Sequence, residues 1–138
     1  MKKFLQTLML VAVMAIPFAS NAQSQTVTIG TGGSISSYQA PFCNFYNNGS
    51  SEMIYLADSI GTAGLIDTLR FQVSESATLA YSNLNIYMAH TSATDVASGW
   101  VALSDMQLVY SNTTSSLSGS GWQTFALTDP FFYDGVSN

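Results

Sequence analysis

Hydrophobic and polar side chains alternate at a period of two in several short stretches of this chain, the pattern of half-buried β-strands. In residues 84–91, Leu-Asn-Ile-Tyr-Met-Ala-His-Thr, the side chains of Leu84, Ile86 and Met88 fall on one face and those of Asn85, Tyr87 and Thr91 on the other. His90, the chain's single histidine, shares the apolar face at the far end. The clearest amphipathic strand follows Leu65: Leu69, Phe71 and Val73 occupy one face, Arg70 and Gln72 the other. That parity turns Arg70 to solvent, where a surface charge contributes little to stability.

Four further stretches read as strands: residues 26–29, 52–56, 106–110 and 122–127. In the last, Phe125 and Leu127 share a face, and Trp122 has the opposite parity, so it faces outward or a bulge resets the alternation. Asp129-Pro130 breaks this strand, and Phe131-Phe132-Tyr133 resumes it. Residues 57–61 predict a helical turn closed by Gly61. Between these elements lie the polar segments 74–83, 92–104 and 112–121, read as loops. A longer one, 34–51, has neither period but carries Tyr38, Phe42, Phe45 and Tyr46, aromatic enough to pack onto the domain. Six short strands without a long helical segment predict an all-β fold, an antiparallel β-sandwich or jelly-roll, with a barrel as the alternative.

The first twenty-two residues stand outside that fold. Lys2 and Lys3, an apolar run of about eleven residues from Leu8 to Phe18, and Ser20-Asn21-Ala22 form the n-region, h-region and cleavage site of a secretory signal peptide, cut before Gln23. The apolar run falls short of the roughly 20 residues that span a bilayer, so no membrane span is expected after cleavage. Residues 23–138 form one domain, in which Arg70 is the single Lys or Arg against eight carboxylates, a net charge of −7. So acidic a surface is ill suited to nucleic acid or anionic membranes. Cys43 has no second cysteine to pair with, so the core must carry the fold without a disulfide. It reads as a small hydrophobe between Phe42 and Asn44, with no nearby cation to lower its pKa.

Candidate chemistry is sparse. Nucleophilic catalysis would depend on His90, and no Gly-x-Ser-x-Gly elbow accompanies it; Ser118-Gly119-Ser120-Gly121 lacks the flanking strand and helix. No catalytic residue is assigned. One His and one Cys are too few for a zinc site. Calcium is the one cofactor left open, because Asp95, Asp105, Asp129 and Asp134 lie in or beside loops, although no dense EF-hand loop occurs. The better lead is aromatic: Trp100, Trp122, Tyr38 and Tyr46 sit in or beside loops, and flat rings bind sugars or protein surfaces. With His90 they form the candidate ligand-binding set.

Several of these segments, in this order, resemble the N-terminal domain of secreted Bacteroidetes surface proteins. They are Thr28-Ile29-Gly30-Thr31-Gly32, Glu52-Met53-Ile54-Tyr55-Leu56-Ala57, Gly64-Leu65-Ile66, Ile86-Tyr87-Met88-Ala89-His90-Thr91, Gly121-Trp122 and Pro130-Phe131-Phe132-Tyr133-Asp134-Gly135 with Ser137-Asn138. Those proteins are large and multidomain, with cleaved-adhesin-like or fibronectin-type modules and a C-terminal sorting signal. The resemblance implies export, display at or release from the outer surface, and a non-enzymatic β-sandwich that binds a glycan or a host or cell-surface protein. Asp58-Ser59-Ile60 and Asp67-Thr68-Leu69 also resemble the O-glycosylation acceptor of these bacteria. A secreted hydrolase, or a carbohydrate-binding accessory domain of one, is the alternative, with Glu52 or Asp95 as the acid in a tryptophan-lined groove.

Asp134-Gly135 after an aromatic run is a hairpin signal, and only three residues follow it. In the family that the chain resembles, the Ser-Asn after this turn leads into another apolar strand. The expectation is a domain missing its last strand or strands. A chain extended by one hairpin strand should then unfold at a sharply higher midpoint, and an unchanged midpoint would refute this.

Overall fold

A computed structural model describes residues 24–31, 41–42, 46–73, 78–97, 99–117 and 119–138. The signal segment, Tyr38 and Cys43 lie outside the described residues. Within them the fold is all-β and antiparallel: a one-turn helix α1 (Ala57–Ile60) and four strands, β1 (Gly64–Val73), β2 (Leu79–Met88), β3 (Gln107–Leu117) and β4 (Gly121–Tyr133). They form two two-stranded sheets, β1 with β4 and β2 with β3.

Both sheets carry a local irregularity that shapes the core. In the β2–β3 ladder Ile86 opposes Tyr110 but Tyr87 opposes Leu108, leaving Val109 as the extra residue of a bulge. Val109 is thereby turned inward beside Tyr110 and is fully buried against Leu127 and Phe131. In the β1–β4 ladder Ile66 opposes Phe131, whereas Thr68 opposes Ala126, so Asp67 alone faces the four residues 127–130. Pro130 has no N–H to give a ladder, and the register slips around it.

The inner faces of the two sheets share their apolar clusters. One is built on Phe42, Leu117 and Phe125 and receives Leu69, Phe71 and Val73 from β1 and Tyr81, Leu84 and Ile86 from β2. Phe42 stacks on Phe125 with ring centroids 5.6 Å apart and meets Phe71 edge-on at the same distance. Of the four aromatics of residues 34–51 expected to pack onto the domain, Phe42 does so, Tyr46 is exposed, and Tyr38 and Phe45 lie outside the described residues.

Several expectations are corrected. Residues 26–29 and 52–56 form no strand; Val27 and Ile29 stay about 40% exposed, and neither stretch pairs with a strand among the described residues. Residues 112–117, read as loop, continue β3, and β2 begins at Leu79 inside the segment read as polar loop. The reason is visible at Ser115, which occupies an inward position and is buried. A polar residue in a core slot erases the alternation that marks a strand in sequence. The Ser115 Oγ has no hydrogen-bond partner among the described residues. Trp122 needs no bulge: β4 keeps its parity from Gly121 to Leu127, and Trp122 faces outward.

Phe125 joins the inner faces, so Phe125→Ala should cost about 3–5 kcal/mol in denaturant unfolding. Thr124→Ala, next to it on the exposed face, should change stability by less than about 0.5 kcal/mol.

Candidate functional site

His90 lies just past the end of β2, not within it, and its ring packs on Phe131 (4.8 Å between centroids) and Tyr133 (6.0 Å). Its Nε2 accepts a hydrogen bond from the backbone N–H of Asp134 at 3.3 Å and stands 3.9 Å from Asp134 Oδ1. The sequence-based placement on the apolar face is thus replaced by a seat against the end of β4.

Asp134 begins the turn that the Asp-Gly pair predicts. Its Oδ1 accepts the backbone N–H groups of Val136 (2.9 Å) and Ser137 (2.8 Å), and its Oδ2 accepts the Ser137 hydroxyl at 2.6 Å. Those bonds, Ser137's side chain foremost, hold the carboxyl down to about 2 from 3.8, with His90 adding to the effect. Gly135 is required twice over: its φ is +83°, and a Cβ there would lie 2.9 Å from that of Ala63. Tyr133, buried beneath the turn, donates its hydroxyl to Ser137 O at 2.8 Å. Burial, with Asp134 and Asp58 adding, pushes that phenol above its ordinary range.

Asn138 then ties three segments together. Its backbone N–H and C=O each bond Thr91, at 2.9 and 2.8 Å, the reciprocal exchange of an antiparallel pair. Its Oδ1 accepts the N–H of Ala57 at 2.8 Å, and its Nδ2 donates to Ala93 O at 3.0 Å. Leu56, at the N-cap of α1, has no side chain able to cap it, so Asn138 supplies that bond across 81 positions of sequence. Sequence reading missed Asn138, since nothing local in Ser137-Asn138 points to α1.

Chemically this node is built to hold the chain, not to transfer protons. Asp134 lies between the Ser137 hydroxyl and His90, so no histidine stands against that hydroxyl as a base. A carboxylate at about 2 that already accepts three bonds is a poor proton acceptor. Of the aspartates considered for calcium, Asp95 caps the N–H of Ala97 and Asp105 accepts from Ser104. No group of three or more His, Cys, Asp or Glu able to hold a metal ion occurs among the described residues.

The aromatic candidates stand apart from this node. Trp100, in the connection between β2 and β3, is 59% exposed, and the backbone N–H beside it, of Val101, donates to Glu52 Oε1 at 3.2 Å. Tyr46 is exposed in the segment before α1. Trp122 projects from the outer face of the β1–β4 sheet with Arg70 laid over its ring, Cζ 5.4 Å from the centroid. The register sets Gln72 opposite Trp122 and Thr124 opposite Arg70, so an indole, a guanidinium, an amide and a hydroxyl share one solvent-facing sheet surface. No carboxylate of the described residues lies within ion-pair distance of Arg70. Among the described residues no helix is long and apolar enough to cross a membrane.

Because Asp134 is held below its ordinary pKa in the folded state, its contribution to stability is complete above about pH 4 and is lost as the pH falls toward 2. Asp134→Ala should therefore lower the thermal midpoint at pH 7, with the difference from the parent shrinking across that window. A difference that stays constant to pH 2 would contradict the assignment.

Comparison with protein-family models, with characterised proteins and with solved structures finds no match.

Proposed function

We propose that this protein is a non-enzymatic, exported binding module, displayed at or released from the bacterial outer surface, with the outer face of the β1–β4 sheet as its recognition surface. The two sheets are the facing halves of a small antiparallel sandwich of jelly-roll type. The partner is a glycan or a carbohydrate-bearing surface protein.

The observation that carries the reading is the Trp122–Arg70 pair on an open sheet face. An apolar ring left 48% exposed on a regular strand is available to the C–H face of a pyranose. Arg70, stacked on it at 5.4 Å, is held in place by a cation–π contact worth about 0.5–1 kcal/mol at an exposed site. Gln72 and Thr124, opposite Trp122 and Arg70 in the ladder, add an amide and a hydroxyl to the same exposed face. A flat face of this kind suits an extended polymer held weakly at one or two units rather than a small molecule enclosed in a cleft. The sequence resemblance to secreted surface proteins and the predicted signal peptide support the location.

The test is a glycan array read for binding, together with a hydrolysis assay on the same sugars. Binding without turnover is expected, and Trp122→Ala should weaken it by about tenfold or more, a loss of about 1.4 kcal/mol. Turnover abolished by a single carboxylate substitution, or binding indifferent to Trp122→Ala, would overturn the proposal.

A further inference from the structure

Arg70 is the single Lys or Arg of residues 23–138, against eight carboxylates in the same span, yet no acid is written beside it on the sheet. On the exposed face of the β1–β4 ladder its neighbours along β1 are Thr68 and Gln72, the residue opposite is Thr124, and the diagonal positions hold Trp122 and Ala126. All five are uncharged. An acid opposite or diagonal to Arg70 would form the stabilising cross-strand pair that sheets commonly use. Those positions carry a hydroxyl, an indole and a methyl group instead. Asp67, three residues along β1, stands about 10 Å away by strand rise, roughly one screening length at 0.1 M salt. Glu75 lies outside the described residues.

The positive charge of this face is therefore placed next to an aromatic ring. Arg70 Cζ lies 5.4 Å from the centre of the Trp122 ring, and with the guanidinium over it Trp122 is still 48% exposed. A guanidinium is a planar fork of N–H donors that matches a carboxylate. A pyranose that bears a carboxylate presents both complements at once, its C–H face to an indole and the anion at the edge of the ring. Charge balance narrows the ligand further. One cation meets one anion, and the net charge of −7 on residues 23–138 repels a polymer charged at every unit. An acidic sugar standing alone among neutral ones avoids that repulsion.

We propose that the outer face of the β1–β4 sheet takes a glycan carrying one isolated carboxylate-bearing sugar, with the sugar ring on Trp122 and its carboxylate on Arg70. This rests on that face being a glycan-binding surface, and it assigns Arg70 the choice of acidic over neutral sugar.

An array of glycans tests this, each carrying one acidic sugar, either a hexuronate within the chain or an acidic sugar at its end, and each printed beside its methyl ester and among neutral glycans. The ester keeps the shape and removes the charge. At about 0.15 M salt, where charges beyond roughly 8 Å are largely screened, the acid should bind about tenfold or more tightly than its ester. The arm that responds distinguishes an internal from a terminal acidic sugar. Arg70→Gln should bring the ratio of acid to ester near one, and Arg70→Lys should retain only part of it, because an ammonium supplies the charge without the fork. The double variant Arg70→Gln with Asn85→Arg restores the net charge at an exposed position of the β2–β3 sheet and should also leave the ratio near one. An acid preference that survives Arg70→Gln, or that the double variant recovers, would overturn the proposal. Equal binding of acid and ester that still depends on Trp122 would overturn it and leave the glycan-binding surface standing, whereas no binding to any member of the array would overturn both.

Discussion

Two strands cannot hold a sheet together in water, and this chain is built from two such pairs. Each pair must cover its apolar face with the other, and the ring of Phe125 marks the junction: it contacts Phe42, Phe71 and Tyr110 within 6.0 Å between centroids. The remaining features follow from that requirement. The β3 bulge turns Val109 into the shared interior, and the slip opposite Pro130 lets Ile66 and Leu69, three residues apart on β1, both pack inward while Leu127 and Phe131 keep one parity on β4. Outward side chains on the same strands, Trp122 among them, are left for other uses.

Residues grouped by sequence reading as one candidate set divide into two roles. His90 accepts the backbone N–H at the Asp134 turn, within a network that runs through Ser137 and Asn138 to Thr91, Ala93 and the first turn of α1. Trp122 belongs to an open surface with Arg70 over its ring. Trp100 and Tyr46 remain exposed at other places on the chain. A lone titratable residue near hydroxyls invites a catalytic reading, but here the carboxylate stands where a base would be needed, and its hydrogen bonds spend it as a structural acceptor.

The legible parts of the fold were those in which local chemistry and tertiary demand coincide. β1 from Leu69 to Val73 and β4 from Phe125 to Leu127 alternate because their inward positions there are apolar, so Leu69, Phe71, Val73, Phe125 and Leu127 could be placed from spacing alone. The helical turn closed by Gly61 and the Asp134-Gly135 turn were legible because their backbone geometry needs particular residues, and both glycines do have positive φ. The second half of β3 was hidden by Ser115, and the alternating residues 26–29 misled because alternation records only the capacity to form a strand.

By itself the sequence determined the all-β class, the outward parity of Arg70, the turn at Asp134 and the scarcity of positive charge, since each depends on residue type and short spacing. Only the tertiary structure decided that Arg70 lies on Trp122, that His90 serves the end of β4, and that Asn138 caps a helix far away in sequence. These are contacts between segments that share no local pattern. They exist because burying both sheets' apolar faces brings the segments together, and side-chain spacing along one segment carries no record of what a distant one will meet. At residues 84–88 the division is plain: the alternation of Leu84, Ile86 and Met88 is local, while the pairing with β3 and the bulge opposite Ile86 and Tyr87 are properties of the assembled sheet.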